Sequence, residues 1–161
     1  MAKDMTKEAP KTREGEKSRL SDMLCFTVYS TAHAFNRVYK PLLDALDLTY
    51  PQYLAMLVLW ERDDITVKEV GEQLHLDSGT LTPLLKRLEA AGLIRRSRDA
   101  ADERQVRIRL TPKGDAMREK ANTVRHGIVG ACKHSSDESQ ALNAQLVRLR
   151  DRLNAECGKR T

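Results

Sequence analysis

The sequence predicts a mainly α-helical protein with one small β-hairpin, and residues 66–114 carry the observations that support this fold class. Two short segments repeat apolar residues at helical spacing, and a capping residue precedes each of them. A third segment alternates apolar residues with arginines in the period of two that is typical of a strand. The order helix, turn, helix, hairpin is that of a winged helix-turn-helix.

The first helix of this stretch is predicted to begin after Thr66, which forms a capping box with Glu69. The second helix is predicted to follow Asp77, a favourable N-cap residue, and to end near Gly92. The apolar residues predicted to face the core are Val67, Val70, Leu74, Leu81, Leu84, Leu85 and Leu88.

The opposite side of the second helix carries small, hydroxylated and cationic residues, which suit a surface that enters the DNA major groove. Backbone N–H groups in the first turn of a helix also point outward and favour phosphate oxygens. The residues of this helix predicted to contact DNA are Ser78, Gly79, Thr80, Thr82, Pro83, Lys86 and Arg87.

The hairpin is predicted to pair residues 94–97 with residues 106–110 across the polar loop RDAADERQ. Arg107 and Arg109 are expected to face water. Residues 78–113 hold nine lysines and arginines against four acids, a local charge of +5, and the whole chain is also +5. The excess positive charge is therefore concentrated where a polyanion would dock, although a solvated charged hairpin is the alternative.

The wing segment resembles the signature of MarR-type regulators, since Asp102 and Arg104 precede the strand end LTPKG. Residues 24–30 (LCFTVYS), 39–61 (YKPLLDALDLTYPQYLAMLVLWE) and 76–89 (LDSGTLTPLLKRLE) resemble the organic-hydroperoxide-sensing repressors of that family. The resemblance implies that the helix from Ser78 reads the major groove. It also implies that Arg104 enters the minor groove, braced by Asp102. Arg96, among the basic residues of the hairpin, is also predicted to contact DNA.

The chain is expected to form a single MarR-type domain, residues 18–161, after a disordered arm at residues 1–17. The winged unit is expected over about 50–114, and dimerisation helices over about 18–46 and 112–157. No apolar run approaches the ~20 residues that span a bilayer, so we expect a cytoplasmic protein without membrane contact. In that compartment the three cysteines would ordinarily be reduced.

Four further helices are predicted outside residues 66–110. The first runs from Ser18 or Ser21 to about Leu46, with Pro41 kinking it or splitting off its last piece. A helix from Thr49 to Trp60 is apolar nearly all round and is expected at the centre of the fold. The terminal helices carry apolar residues that we expect a second copy to cover, giving a two-fold dimer: Met117, Val124, Ile128, Val129, Leu142, Leu146, Leu149 and Leu153.

Cys25 lies in the first turns of the predicted first helix, where the helix dipole favours the reactive thiolate. Tyr29 shares its helical face and can donate a hydrogen bond to the sulfur. Tyr39 lies fourteen residues further on, about 21 Å at 1.5 Å per residue, so a contact with Cys25 would have to cross a dimer. The alternative is that Cys25 is a small core residue and the tyrosines pack a helix interface.

The resemblance implies that Cys25 is the peroxide-reactive thiol and that Tyr29, Tyr39 and Tyr50 surround it, some of them from the partner chain. It also implies that Cys132 resolves the oxidised thiol in an intersubunit disulfide, with Cys157 as a weaker candidate. No metal site or cofactor is predicted, because the spacing of His126, Cys132 and His134 fits no common ligand pattern.

The favoured function is that of a homodimeric repressor which binds a pseudo-palindromic operator in double-stranded DNA and releases it when an organic hydroperoxide oxidises Cys25. A second possibility within the same family is a repressor released by a reversibly bound phenolic ligand. A thiol peroxidase belongs to a different class. That enzyme would leave the arginine-rich wing unexplained, so we predict a regulator and not an enzyme.

Overall fold

The computed structural model describes residues 19–158, so the arm predicted at residues 1–17 lies outside the described residues. The chain divides into two compact units, Met1–Phe35 and Asn36–Thr161. The described part of the first unit contains a 3-10 turn, Leu20–Asp22, and the beginning of the first helix. The elements that follow this helix all belong to the second unit.

The described residues form six α-helices and three β-strands. The helices are α1 (Leu24–Asp44), α2 (Tyr50–Glu61), α3 (Val67–Leu74), α4 (Ser78–Ala90), α5 (Pro112–Cys132) and α6 (Ser136–Gly158). The strands are β1 (Ile65–Thr66), β2 (Ile94–Arg98) and β3 (Val106–Leu110). Within residues 19–158, no helix combines the length and the apolar character that crossing a bilayer requires.

Side-chain caps start the helices where the sequence predicts them. The capping box at α3 is confirmed, because Glu69 Oε2 accepts from Thr66 N at 2.8 Å and Thr66 Oγ1 accepts from Glu69 N at 3.2 Å. Asp77 Oδ1 accepts from Thr80 N at 2.9 Å and so caps α4. Thr111 Oγ1 accepts from Gly114 N at 3.0 Å and caps α5. These bonds satisfy N–H groups that the first turn of a helix leaves without a partner.

Three details differ from the sequence expectations. The first helix begins at Leu24, after the 3-10 turn, and ends at Asp44 instead of Leu46, and Asp47 beyond it has a φ of 53°. Helix α1 continues through Pro41, so no final piece is split off. The sheet has three strands in the order β1-β3-β2, because Ile65 and Thr66 pair antiparallel with Ile108 and Arg107.

The core of the second unit surrounds α2, as its apolar sequence predicts. Met56, Leu59 and Trp60 are buried in it, whereas Leu57 is exposed. Helix α5 contributes Ala121 and Val124 to the same core, so the expectation that Val124 is available to a second copy is wrong. No described residue of α6 is buried within the protomer.

A close backbone contact joins α5 to the corner between α4 and β2. A Cβ at Gly114 would lie 2.0 Å from the carbonyl oxygen of Leu93, so only glycine fits there. Thr111 N donates to the same oxygen at 3.0 Å, and Trp60 Nε1 donates to the carbonyl oxygen of Gly114 at 2.9 Å. Lys113 Nζ also donates to the carbonyl oxygen of Ala91 at 2.7 Å. These bonds fix the start of α5 against α2 and the winged unit.

We predict that Gly114→Ala lowers the free energy of unfolding by roughly 1–3 kcal/mol, because its Cβ would meet rigid backbone. Helix propensity alone predicts the opposite sign, since alanine is better than glycine inside a helix by about 1 kcal/mol. Urea unfolding at a fixed protomer concentration measures the difference. The matched control is Gly130→Ala in the same helix, where the added Cβ has no chain atom within 4 Å. A Gly114→Ala protein as stable as the control would contradict the contact.

Candidate DNA-contact surface and cysteine site

The N-terminal half of α4 presents the predicted major-groove residues. The Asp77 carboxylate accepts from both the N–H and the hydroxyl of Thr80, each at 2.9 Å, and these hydrogen bonds lower the pKa of Asp77. Most of the predicted residues are exposed, and Thr82 is half-buried. The exposed set is Ser78, Gly79, Thr80, Pro83, Lys86 and Arg87. Helix α4 therefore carries the predicted contact residues on its open side while its leucines lie in the core.

Asp102 shapes the loop of the wing. Its Oδ1 accepts from the backbone N–H of Arg104 at 3.1 Å, and its Oδ2 accepts from Gln105 Nε2 at 3.1 Å. The carboxylate of Asp102 therefore braces Arg104 through its backbone N–H group and not through its guanidinium. The side chain of Arg104 is left exposed at the tip.

The basic residues of α4 and the hairpin include two groups. Within residues 19–158, the side chains of Lys86, Arg87, Arg95 and Arg104 form no hydrogen bond or ion pair inside the protomer. Arg96 is half-buried, and its N–H donates to Glu89 Oε1 at 3.0 Å. Arg109 is exposed as expected and Arg107 is half-buried, and both also bind Asp64.

Arg107 links the base of the wing to the turn before β1. Its Nε lies 2.7 Å from Asp64 Oδ1, and its Nη1 lies 2.7 Å from Asp99 Oδ2. Hydrogen bonds from Arg109 and Arg107 lower the pKa of Asp64 to about 2, and the bond from Arg107 also lowers the pKa of Asp99. The sequence analysis missed this cluster. Asp64 is far from the hairpin in sequence, and only the pairing of β1 with β3 brings it there.

An open groove of about 790 Å³ lies between α3, α4 and the wing. It brings together four of the predicted DNA-contact residues, Ser78, Thr82, Arg96 and Arg104. Lys68 of α3 also lines it and was not predicted, although a cation at an exposed position of the helix before α4 is a signal that the sequence contains. The groove therefore combines hydroxyl groups, cations and the first turn of α4, a chemistry suited to a phosphate backbone and base edges.

Cys25 is the second residue of α1 and belongs to the first compact unit. Its thiol is exposed, and so is Tyr29 one turn later in the helix. The Tyr29 ring packs edge-on against His33 with 4.3 Å between ring centroids. The predicted position of Cys25 at a helix N-terminus is confirmed, and the alternative of a buried core cysteine does not hold within the protomer.

Tyr39, Tyr50 and Cys132 belong to the second unit, where the two tyrosines form an aromatic cluster. The rings of Tyr39 and Tyr50 are 4.5 Å apart, and Tyr53, which the sequence analysis assigned no role in the site, lies 6.0 Å from Tyr39. Burial raises the pKa of Tyr39 to about 12, with further electrostatic contributions from Tyr50, Tyr53 and Cys132. The Tyr39 phenol therefore stays protonated at neutral pH and can donate a hydrogen bond.

Cys132 is the last residue of α5 and is exposed. Cys132 makes the smallest of the electrostatic contributions that raise the pKa of Tyr39. Cys157, the other candidate for the resolving thiol, is exposed on α6. In the described part of the chain, no three histidine, cysteine or acidic side chains converge in a group that could hold a metal ion.

Comparison with known proteins identifies the family of this chain. A family model described as transcriptional regulator SarA/Rot matches residues 37–122. The HTH-type transcriptional regulator TtmR of Methylorubrum extorquens is 51% identical over 91% of this chain and 75% of its own length. The organic hydroperoxide resistance transcriptional regulator of Bacillus subtilis is 48% identical over 84% of this chain and 92% of its own length.

Solved structures of AbfR, a protein of Staphylococcus epidermidis, show the same fold. Reduced AbfR bound to DNA superposes with a TM-score of 0.70 at 36% identity and covers 83% of this chain and 93% of AbfR. The disulfide form of AbfR superposes less well, with a TM-score of 0.60 over 81% of this chain and 91% of AbfR. The relatives are transcriptional regulators and not enzymes. This chain belongs to the MarR-like winged-helix family of transcriptional regulators.

Proposed function

We propose that this regulator is a cytoplasmic repressor that releases its operator when an organic hydroperoxide oxidises Cys25. The observation that carries the proposal is the exposed thiol of Cys25 at the N-terminal end of α1, with the phenol of Tyr29 one turn away. An exposed thiol is accessible to a peroxide, and its thiolate is the form that attacks. The 48% identity with a regulator named for organic hydroperoxide resistance supports the same sensor chemistry.

The oxidation proceeds in two steps. The Cys25 thiolate attacks the terminal oxygen of the hydroperoxide, a sulfur–oxygen bond forms, the oxygen–oxygen bond breaks, and the alkoxide leaves as an alcohol after taking a proton. The sulfenic acid then reacts with a second thiol, forming a disulfide and releasing water. Sulfur supplies two electrons, and the hydroperoxide accepts them.

The aromatic cluster is the proposed docking place for Cys25 of the partner chain. It combines the protonated phenol of Tyr39, the neighbouring Tyr50 and the exposed thiol of Cys132. A phenol that stays protonated can donate a hydrogen bond to a thiolate or to the leaving oxygen. A partner's Cys25 at this cluster would therefore meet hydrogen-bond donors and a resolving thiol in one place.

DNA docking is proposed through α4 and the wing. Helix α4 enters the major groove with its exposed first turn and Lys86, and Arg104 reaches the adjacent minor groove from the wing tip. Two copies related by a two-fold axis present two such units, so the operator is pseudo-palindromic. The DNA in the reduced AbfR complex supports this use of the shared fold.

We predict that Arg104→Ala and Lys86→Ala each weaken DNA binding, by roughly 1–3 kcal/mol where the side chain contacts a base. Both side chains are exposed cations without a partner among the described residues, so each is available to DNA. Fluorescence anisotropy with a duplex selected from random-sequence DNA by the wild-type protein measures the change. Loss of a phosphate contact should also flatten the salt dependence of the affinity.

Lys40→Ala is the control for the loss of a surface cation. Lys40 lies on α1 outside the winged unit and pairs with Asp44 at 3.1 Å. We expect this variant to bind the selected duplex as the wild type does. Wild-type affinity of both the Arg104 and the Lys86 variant across salt concentrations would refute the docking model.

We predict that the reduced protein is a dimer at micromolar concentration. Leu142, Leu146 and Leu153 of α6 are exposed in the protomer, and the α6 spacing puts them on one face. Leu146→Glu should shift the sedimentation equilibrium toward monomer, whereas Ala144→Glu, on the opposite side of the helix, should not. A folded wild-type monomer at these concentrations would exclude a sensor built from two chains.

We predict that limited cumene hydroperoxide yields a covalent dimer that dithiothreitol reverses. Cys25→Ser should bind DNA and ignore the peroxide, because it removes the reacting sulfur. Cys132→Ser should still respond but recover poorly, because no resolving thiol protects the sulfenic acid from further oxidation. Non-reducing denaturing gels and the DNA-binding assay before and after reduction record these outcomes.

Cys157→Ser is the matched control, since it also removes an exposed cysteine. It should behave as the wild type if Cys132 is the resolving residue. Peptide mapping identifies the linked cysteines. A Cys25–Cys157 link would assign the resolving role to Cys157, and an unmodified Cys25 after DNA release would overturn the sensor mechanism.

A further inference from the structure

Four side chains at the base of the wing form a connected ion cluster. Arg107 of β3 binds Asp64 through Nε at 2.7 Å and Asp99 through Nη1 at 2.7 Å, and its Nη2 also donates to the backbone carbonyl oxygen of Asp64. Arg109 adds a contact to Asp64 Oδ2 at 2.8 Å. Three guanidinium nitrogens of Arg107 are therefore engaged at once, which only an arginine can do.

The cluster connects the turn before β1 to the tip of the wing. The other oxygen of Asp99 accepts from the backbone N–H groups of Ala101 at 2.7 Å and Asp102 at 3.1 Å. Asp102 in turn accepts from the backbone N–H of Arg104. An unbroken chain of hydrogen bonds thus runs from Asp64 to the residue proposed to enter the minor groove.

The backbone of Asp64 has a conformation that ordinary residues seldom adopt. Its φ is 56°, in the left-handed region, where a residue with a Cβ is disfavoured, although aspartate is among those that tolerate it best. This conformation accompanies the contacts of both its carboxylate and its carbonyl oxygen with Arg107. The turn is therefore shaped to hold the arginine.

Neither stability nor DNA attraction accounts for the cluster. Its side chains are partly exposed, from 13% for Asp99 to 58% for Arg109, and exposed ion pairs contribute little to folding. Two carboxylates beside a DNA-binding surface also repel phosphates. Their contribution must come from geometry.

We propose that Asp64 and Arg107 are positioning residues that fix the wing loop so that Arg104 meets the minor groove. This inference rests on the proposed DNA docking. It makes the wing's orientation depend on the turn that follows α2, outside the hairpin itself. The chemical class of the ligand is double-stranded DNA, and the two residues act on it through Arg104.

Asp64→Asn separates positioning from charge, because the two effects have opposite signs. Removal of an acid near DNA should tighten binding if charge alone matters. If Asp64 positions the wing, the variant should instead weaken binding of the selected duplex about as much as Arg104→Ala does, roughly five- to hundredfold. Tighter or unchanged binding of Asp64→Asn would overturn the inference.

A double variant tests whether Asp64 acts through Arg104. Asp64→Asn with Arg104→Ala should bind about as well as Arg104→Ala alone, since the wing contact is already lost. Costs that multiply would show that Asp64 acts independently, against the proposal. If Arg104→Ala itself binds as the wild type does, the proposed docking fails. If only Asp64→Asn binds as the wild type does, the positioning inference fails alone.

Two further variants guard against charge and folding effects. Glu103→Gln removes an acid from the wing loop, and within residues 19–158 its carboxylate has no hydrogen-bond partner, so its binding should equal or exceed that of the wild type. Weaker binding of Glu103→Gln would contradict the premise that removal of an acid near DNA tightens binding. Arg107→Lys keeps the charge but cannot bind Asp64 and Asp99 in the same fork, so it should also weaken binding. Wild-type affinity of a folded Arg107→Lys protein would overturn the proposal even if Asp64→Asn failed to fold.

Discussion

The contact between Gly114 and the carbonyl group of Leu93 determines how the winged unit meets the rest of the second unit. No side chain fits there. Thr111 N donates a hydrogen bond to the Leu93 carbonyl oxygen, and Trp60 Nε1 donates one to the Gly114 carbonyl oxygen. The start of α5 is therefore fixed to the corner between α4 and β2. Helix α5 runs for 21 residues, roughly 30 Å at 1.5 Å per residue, and ends at Cys132. A displacement of Cys132 would therefore move a helix whose other end is joined to the candidate DNA-contact surface.

The basic residues of α4 and the hairpin include two groups that composition alone cannot distinguish. Arg96, Arg107 and Arg109 bind acids of the same chain, whereas Lys86, Arg87, Arg95 and Arg104 make no such contact within the described residues. The first group joins the hairpin to neighbouring segments of the chain, and the second is exposed and available to a polyanion. The local charge of +5 counted over residues 78–113 leaves out Asp64, the carboxylate that Arg107 and Arg109 bind, so it overstates the charge available to DNA.

Local sequence signals predicted the helices well, because capping and apolar periodicity act over a few residues. Thr66, Asp77 and Thr111 cap where expected, and the leucines of α4 are buried as their spacing requires. The failures involve distant partners. Strand β1 has two residues, too few for a periodic pattern, and its pairing with β3 is what brings Asp64 to Arg107.

The candidate site shows the same division. The position of Cys25 in the first turn of α1 followed from sequence, and so did the exposed residues of α4. The place of Tyr53 beside Tyr39, and the burial of Val124 in the protomer's own core, depend on how α2 and α5 pack. A residue's spacing shows which face it occupies, but the fold decides what covers that face.

Oxidation of one cysteine does not by itself explain why DNA binding should change. Under the proposed mechanism, a disulfide to Cys132 needs the two Cα atoms within about 7 Å, and Cys132 ends the helix that begins at Gly114's contact with Leu93. The same helix thus carries Cys132, the proposed resolving residue, at one end and the joint to the winged unit at the other. Formation of the disulfide can therefore change DNA binding through the position of α5 alone, without any change in the residues that contact DNA.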